Sequence, residues 1–169
     1  PKLPTNLIRL ADNLIFEPPT GVRASMLRSL AAMPDERMAK QPAERSRLYV
    51  LLAWFHALVL ERLRYTPVGW SKAHEFSDSD LKCALDAIDS WVELVAGGKA
   101  HVAPELIPWE ALRVSFEQSV YGGRVDNPFD QQLLSGLLER LFTPKSFDAD
   151  FALSQSWHAG GKAVSYTHL

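Results

Sequence analysis

Apolar residues recur along most of this chain at spacings of three and four, which gathers them on one side of a helix. Met26, Leu27 and Leu30 predict a helix over 21–33, capped by Thr20 and stopped by Pro34. Leu48, Leu51, Leu52, Phe55, Leu58, Val59 and Leu63 predict a longer one, with Pro42 suited to its first position. Its centre, LYVLLAWFHALVL at 48–60, is apolar all round except for His56. That run falls short of the roughly 20 residues a bilayer span needs. It is flanked by Arg45, Arg47, Glu61 and Arg62, so a fully buried central helix fits it better.

After Thr66-Pro67-Val68-Gly69 the chain reads as an extended connection from Trp70 to Phe76. Ser77 then caps a helix, with Asp80 three residues on in a capping-box arrangement. Leu81, Leu85, Ile88, Trp91, Val92 and Val95 form one face of it; Asp78, Lys82, Asp86 and Asp89 lie mostly on the other. Gly97-Gly98 closes it as C-terminal glycines do. Pro108 opens a helix carrying Leu112, Phe116 and Val120, and Pro128 opens another carrying Phe129, Leu133, Leu134, Leu137, Leu138, Leu141 and Phe142. Residues 146–151 start one more short helix. A brief apolar run at 13–16, ahead of Pro18-Pro19, reads as a strand. The fold class is all-α: a compact bundle of five to six helices with at most one short N-terminal strand.

Composition narrows the function more than the fold. The 169 residues suit one domain, and 47% apolar with 22% charged residues is ordinary for a soluble globular protein. A net charge of -2 gives no electrostatic case for nucleic acid or an anionic membrane. The single cysteine, Cys83, excludes an internal disulfide and suits a reducing compartment. The opening PKLPTNLIRL lacks a signal-peptide layout and starts without methionine, so the sequence reads as a piece of a longer chain.

A search for chemistry returns little. Gly97-Gly98-Lys99-Ala100 lacks the earlier glycine and the Ser or Thr of a phosphate loop. His56, His74, His101, His158 and His168 make no metal-ligand spacing with one another, with Cys83 or with carboxylates. His56 reads as a hydrogen-bonded core histidine. The pairs Asp78/Asp80 and Asp148/Asp150 suit helix starts better than acid–base work. Trp54, Trp70, Trp91 and Trp109 read as core. Arg23, Arg28, Arg45, Arg47, Arg62 and Arg64 read as a solvated face with ion pairs to residues such as Glu44 or Glu61. No catalytic, cofactor-binding or metal residue is assigned.

One stretch stands out: YGGRVDNP at 121–128. Its glycines could make an anion-binding nest with Arg124, or a hinge between two helices. The hinge is favoured. Asn127 precedes a proline and suits an N-cap, Asp130 can complete a capping box, and Gly122 and Gly123 can take positive φ.

Read in order, several stretches resemble the dynein heavy chain. PKLPTNLIRLADNLIFEPPTGVRASMLRSL is similar to the end of the large part of the sixth AAA+ module running into its helical lid. LYVLLAWFHALVLERLRYTPVGWSKAHEFSDSDLKCALDAID and IPWEALRVSFEQSVYGGRVDNPFDQQLLSGLLERLFTPKSFDADF are similar to the lid itself. YGGRVDN resembles the cytoplasmic form more than axonemal ones. The resemblance divides the chain into 1–19, the end of the AAA+ large subdomain, and 20–153, the helical lid. Residues 154–169 do not continue the pattern and are taken as a tail, non-native or disordered.

The resemblance implies a non-catalytic lid in a ring of six AAA+ modules, within a cytoplasmic, microtubule-associated motor that moves toward the minus end. The fragment itself is not an enzyme on this reading, whereas the full-length chain is a microtubule motor ATPase. ATP and magnesium belong to other modules, and none binds here. AAA+ lids often supply an arginine to nucleotide; none is assigned that role here. The implied partners are neighbouring modules and the C-terminal domain of the same chain, with microtubule and accessory chains reached through other regions. No nucleic acid or membrane is implied. Tyr121, Gly122, Gly123, Arg124, Asp126 and Asn127 become the structural hinge and inter-module contact. The alternative is a free-standing helical adaptor module.

Overall fold

A computed structural model describes residues 4–12 and 19–153. Seven α-helices lie among them: α1 (Thr5–Leu10), α2 (Val22–Ala31), α3 (Asp35–Met38), α4 (Glu44–Leu63), α5 (Asp78–Ala96), α6 (Trp109–Val114) and α7 (Pro128–Leu141). The described residues contain no strand, and the all-α expectation holds. The strand expected at 13–16 and the tail 154–169 lie outside the described residues. Instead of a helix over 146–151, the chain makes a short 3-10 turn at Pro144–Phe147. Among the described residues no helix is long and apolar enough to cross a membrane.

Helix α4 is the centre of the bundle, as its unbroken apolar run requires. Leu48, Leu52, Phe55 and Val59 are wholly buried, and α2, α5 and α7 pack around it. Each such side chain contributes about 1.5–3 kcal/mol by leaving water. The helix starts at Glu44 rather than at Pro42, and the Ala43 N–H donates to the Ala100 carbonyl at 3.2 Å. Phe55 sits edge-on to Tyr121 at 5.0 Å, and Phe116 edge-on to Phe142 at 5.2 Å. Such pairs add specificity to the burial.

Helix α5 follows its end signals. The Ser77 N–H donates to Asp80 Oδ2 at 2.8 Å, the return half of a capping box. At the far end Gly97 and Gly98 take φ of 52° and 82°, values that cost other residues about 1 kcal/mol or more.

Helix α6 departs from a plain α pattern. After Val114 it widens into a π-helical segment, Ser115–Val120, and the Tyr121 N–H reaches back five residues to the Phe116 carbonyl at 3.0 Å. Leu112 and Phe116 still reach the core.

Arg45 corrects the expectation of a solvated arginine face. Its side chain is 0% exposed, and it donates to Asp89 at 2.7 Å and to Glu93 at 2.9 Å. Arg37 adds bonds to Asp86 and Asp89, Lys40 lies near Glu93, and the Tyr49 hydroxyl donates to Asp89. Burial alone would raise the Asp89 pKa. The bonds from Tyr49 and Arg45 and the charge of Arg37 outweigh it and hold the carboxyl below its ordinary value. This polar seam joins α3, α4 and α5.

Candidate functional site

The stretch singled out in the sequence forms a corner between the π-helical segment and α7. Tyr121 is its buried root. Its hydroxyl lies 3.1 Å from His56 Nδ1, deep against α4. Burial, with the nearby Asp80 carboxylate, pushes the Tyr121 pKa well above the ordinary phenol value, so the hydroxyl stays protonated. His56 is wholly buried, and burial lowers its pKa, which keeps it neutral. His56 is thus the hydrogen-bonded core histidine its place in α4 suggests, although its Nε2 has no partner among the described residues.

The glycines correct the sequence reading. Neither Gly122 nor Gly123 takes a positive φ; together with Arg124 they form a short 3-10 turn. Gly122 is needed for a different reason. A Cβ built there would overlap the Glu117 carbonyl oxygen, which the widened π turn brings against it. At Gly123 the nearest atom to such a Cβ is the Gln118 oxygen at 3.6 Å, an ordinary contact.

Beyond the glycines the corner grips distant chain. Arg124 Nη1 donates to the Glu75 carbonyl at 2.8 Å and to Asp80 Oδ2 at 3.1 Å. Asp126 is exposed and pairs with Lys72. That bond, foremost, holds the Asp126 carboxyl below its ordinary pKa. Asn127 caps α7 by accepting the Phe129 N–H at 2.9 Å.

Asp130 does not close a capping box. It turns inward and accepts the Ser71 N–H at 2.9 Å, the Ser71 hydroxyl at 2.7 Å and His74 Nε2 at 2.7 Å. Its side chain is 5% exposed. Burial would raise its pKa, but Ser71 and His74 outweigh that and hold it below the ordinary value.

The structure therefore gathers Tyr121, Gly122, Gly123, Arg124, Asp126 and Asn127 at one corner. It adds His56, Ser71, Lys72, His74 and Asp80, which sequence reasoning did not attach to it, and it gives Asp130 partners other than the expected cap. Most of these lie 44 to 65 residues away, and no local spacing could have joined them. Asp130 carried the one available signal, a carboxylate in the first turn of a helix, but that signal points equally to a cap. Arg124, the cation an anion-binding nest would use, is instead held by the Glu75 carbonyl and Asp80. Among the described residues no group of three or more His, Cys, Asp or Glu side chains could hold a metal ion. The geometry fastens the 70–77 connection to the starts of α5 and α7.

A family model described as the dynein heavy chain AAA lid domain matches residues 45–168, which takes in the whole corner. The chain belongs to this family. It is 54% identical over 153 residues to the cytoplasmic dynein heavy chain of Drosophila melanogaster, a match covering 90% of this chain and 3% of the relative. The same identity and coverage hold for the cytoplasmic dynein heavy chain of Caenorhabditis elegans. Cytoplasmic dynein 2 heavy chain 1 of Chlamydomonas reinhardtii is 38% identical over 162 residues, 96% of this chain and 3% of its own. The chain thus spans about 3% of the length of these curated relatives. The lid family accounts for the helical bundle.

Proposed function

We propose that this segment is a non-catalytic structural lid of the dynein motor ring, one that carries rigid-body motion between neighbouring modules. Residues 20–153 form the lid, and 1–19 are the end of the large subdomain before it. ATP hydrolysis in other modules drives minus-end-directed movement on microtubules in the cytoplasm, and the lid relays that movement by staying stiff. Its partners are the adjacent AAA+ modules and the C-terminal domain of the same heavy chain. Microtubule and accessory chains engage other regions. ATP and magnesium act elsewhere in the ring and not on this segment.

The observation that supports this reading is the corner itself. Asp130, His74 and Ser71 on one side, and Arg124, Glu75 and Asp80 on the other, bind the irregular connection at 70–77 to two helix starts. Motion applied at one end of such a body moves the other end with it. The segment also lacks the glycine-lysine-serine pattern of a phosphate loop.

A full-length dynein heavy chain carrying Arg124→Ala with Asp130→Ala tests the relay. Slower microtubule gliding is expected, and unchanged gliding overturns it. Melting of this 169-residue segment with and without magnesium-ATP tests the absence of a nucleotide site. No rise in melting temperature is expected, whereas ligand binding to the folded state would produce one.

A further inference from the structure

On the face shared by α5 and α6 lies an open groove of about 710 Å³. Trp91, Ile107, Pro108, Trp109, Glu110 and Val114 line it, and no lysine or arginine does. Its walls are fixed in advance. Trp109 Nε1 donates to the Pro104 carbonyl at 2.7 Å, and its ring meets Phe147 edge-on at 5.9 Å. Trp91 Nε1 points to the Ser115 hydroxyl at 3.4 Å. The Trp109 indole therefore turns its polar atom toward the chain, while that of Trp91 faces Ser115, which also lines the groove.

The apolar character continues past the walls. Leu94 lies one turn beyond Trp91 on α5 and is 74% exposed; Val114 is 42% exposed and Leu106 62%. Neighbouring exposed apolar residues around a groove mark a contact surface rather than scattered surface positions. The rim is acidic. Glu105 and Glu110 are exposed, and neither has an ion-pair partner among the described residues. Arg113, the cation nearest in sequence, donates to the Phe142 carbonyl instead. By contrast, Asp86, Asp89 and Glu93 on α5 are all engaged by arginines or Lys40.

We infer that this groove docks an amphipathic helix whose apolar residues recur at three-four spacing and are flanked by lysine or arginine. The apolar stripe fills the space between Trp91 and Val114, and the flanking cations meet Glu105 and Glu110. This is recognition of a helix by a groove, with charge setting the choice of partner. The inference stands on this face alone and does not depend on the lid relay.

Two synthetic helices test it on this 169-residue chain. One has leucines at i, i+3, i+4 and i+7 with lysines flanking them; the other carries glutamates in place of the lysines. Anisotropy of the labelled peptide reads binding. The basic helix binds saturably, and the acidic one binds at least about tenfold more weakly. Val114→Asp and, separately, Glu110→Lys each weaken the basic helix by about tenfold or more. Glu110→Lys also narrows the gap between the two peptides. Both positions lie on the surface, so unchanged melting confirms the fold, and either variant suffices if the other fails that check. The proposal is overturned if the basic helix shows no saturable binding, if both helices bind alike, or if a folded variant binds it like the unmodified chain.

Discussion

The seam among α3, α4 and α5 and the corner at 121–130 both bury polar groups, but the seam is built on an arginine and the corner on a carboxylate. In the seam, wholly buried Arg45 reaches toward Asp89 and Glu93, which keep contact with solvent. In the corner, buried Asp130 receives a backbone N–H, a hydroxyl and an imidazole. The difference follows from what each joins. Helices satisfy their own backbone, so only long side chains can cross between them. An irregular connection leaves backbone N–H groups that need an acceptor, and a short fixed carboxylate supplies one. A seam of this kind sets how helices lie together; a corner of this kind fixes the path of the chain.

The comparison breaks most visibly at Arg45. Arg45→Ala leaves Asp89 and Glu93 short of their main partner and opens a space in the bundle. A loss of roughly 3 kcal/mol is expected, at the low end for broken buried pairs because Arg37 and Lys40 remain nearby. Arg45→Met, which fills the space without charge, should lose less. Urea unfolding checks both, and equal losses would mean that packing does not separate them.

Asp130→Ala comes next. It strands the Ser71 N–H and His74 in a buried setting, and about 2 kcal/mol should be lost. Asp130→Asn should fall between this variant and the unmodified chain. If Asp130→Ala melts like the unmodified chain, the connection is held by something else.

A pH effect sharpens the contrast from the core side of the corner. His56 is neutral when folded because burial lowers its pKa, while the unfolded chain has the ordinary value of about 6.5. Below that pH the unfolded state binds a proton that the folded state refuses. The contribution of His56 is therefore fully present above about pH 6.5 and is lost as pH falls toward its lowered folded value. Melting followed against pH should show a shallower acid-side decline in His56→Gln. Parallel curves would rule out His56 as the source.

Arg124→Ala is milder than these. The side chain is 47% exposed, so its bond to Asp80 is screened by solvent, and less than about 1 kcal/mol should be lost. Under the proposed relay, its consequence should appear in microtubule gliding rather than in the melting of the segment.

These particular residues also mark how far the sequence could be read. The helices were legible because Leu81, Leu85, Ile88 and Val92 repeat at helical spacing and because Ser77, Gly97 and Asn127 sit where caps belong. The position of the corner was legible from its glycines and proline. Its geometry was not. Leu112 and Phe116 fit an α-helix perfectly well, and nothing in their spacing announces the π widening that brings the Glu117 carbonyl onto Gly122. Arg45 and Asp130 were missed as anchors for a related reason: their partners lie 44 to 59 residues away and meet them only in the folded chain.

The central claim is that this corner is a tightly closed turn of the lid rather than a flexible glycine loop that receives a ligand. Paired melting of Gly122→Ala and Gly123→Ala tests it most directly. The Gly122 methyl would press on backbone that cannot move aside, costing about 2–3 kcal/mol, while the Gly123 methyl should stay within about 0.5 kcal/mol. For a chain of this size that separates the two melting temperatures by roughly 4–10 °C. Equal melting temperatures, or a larger loss at Gly123, would contradict the account.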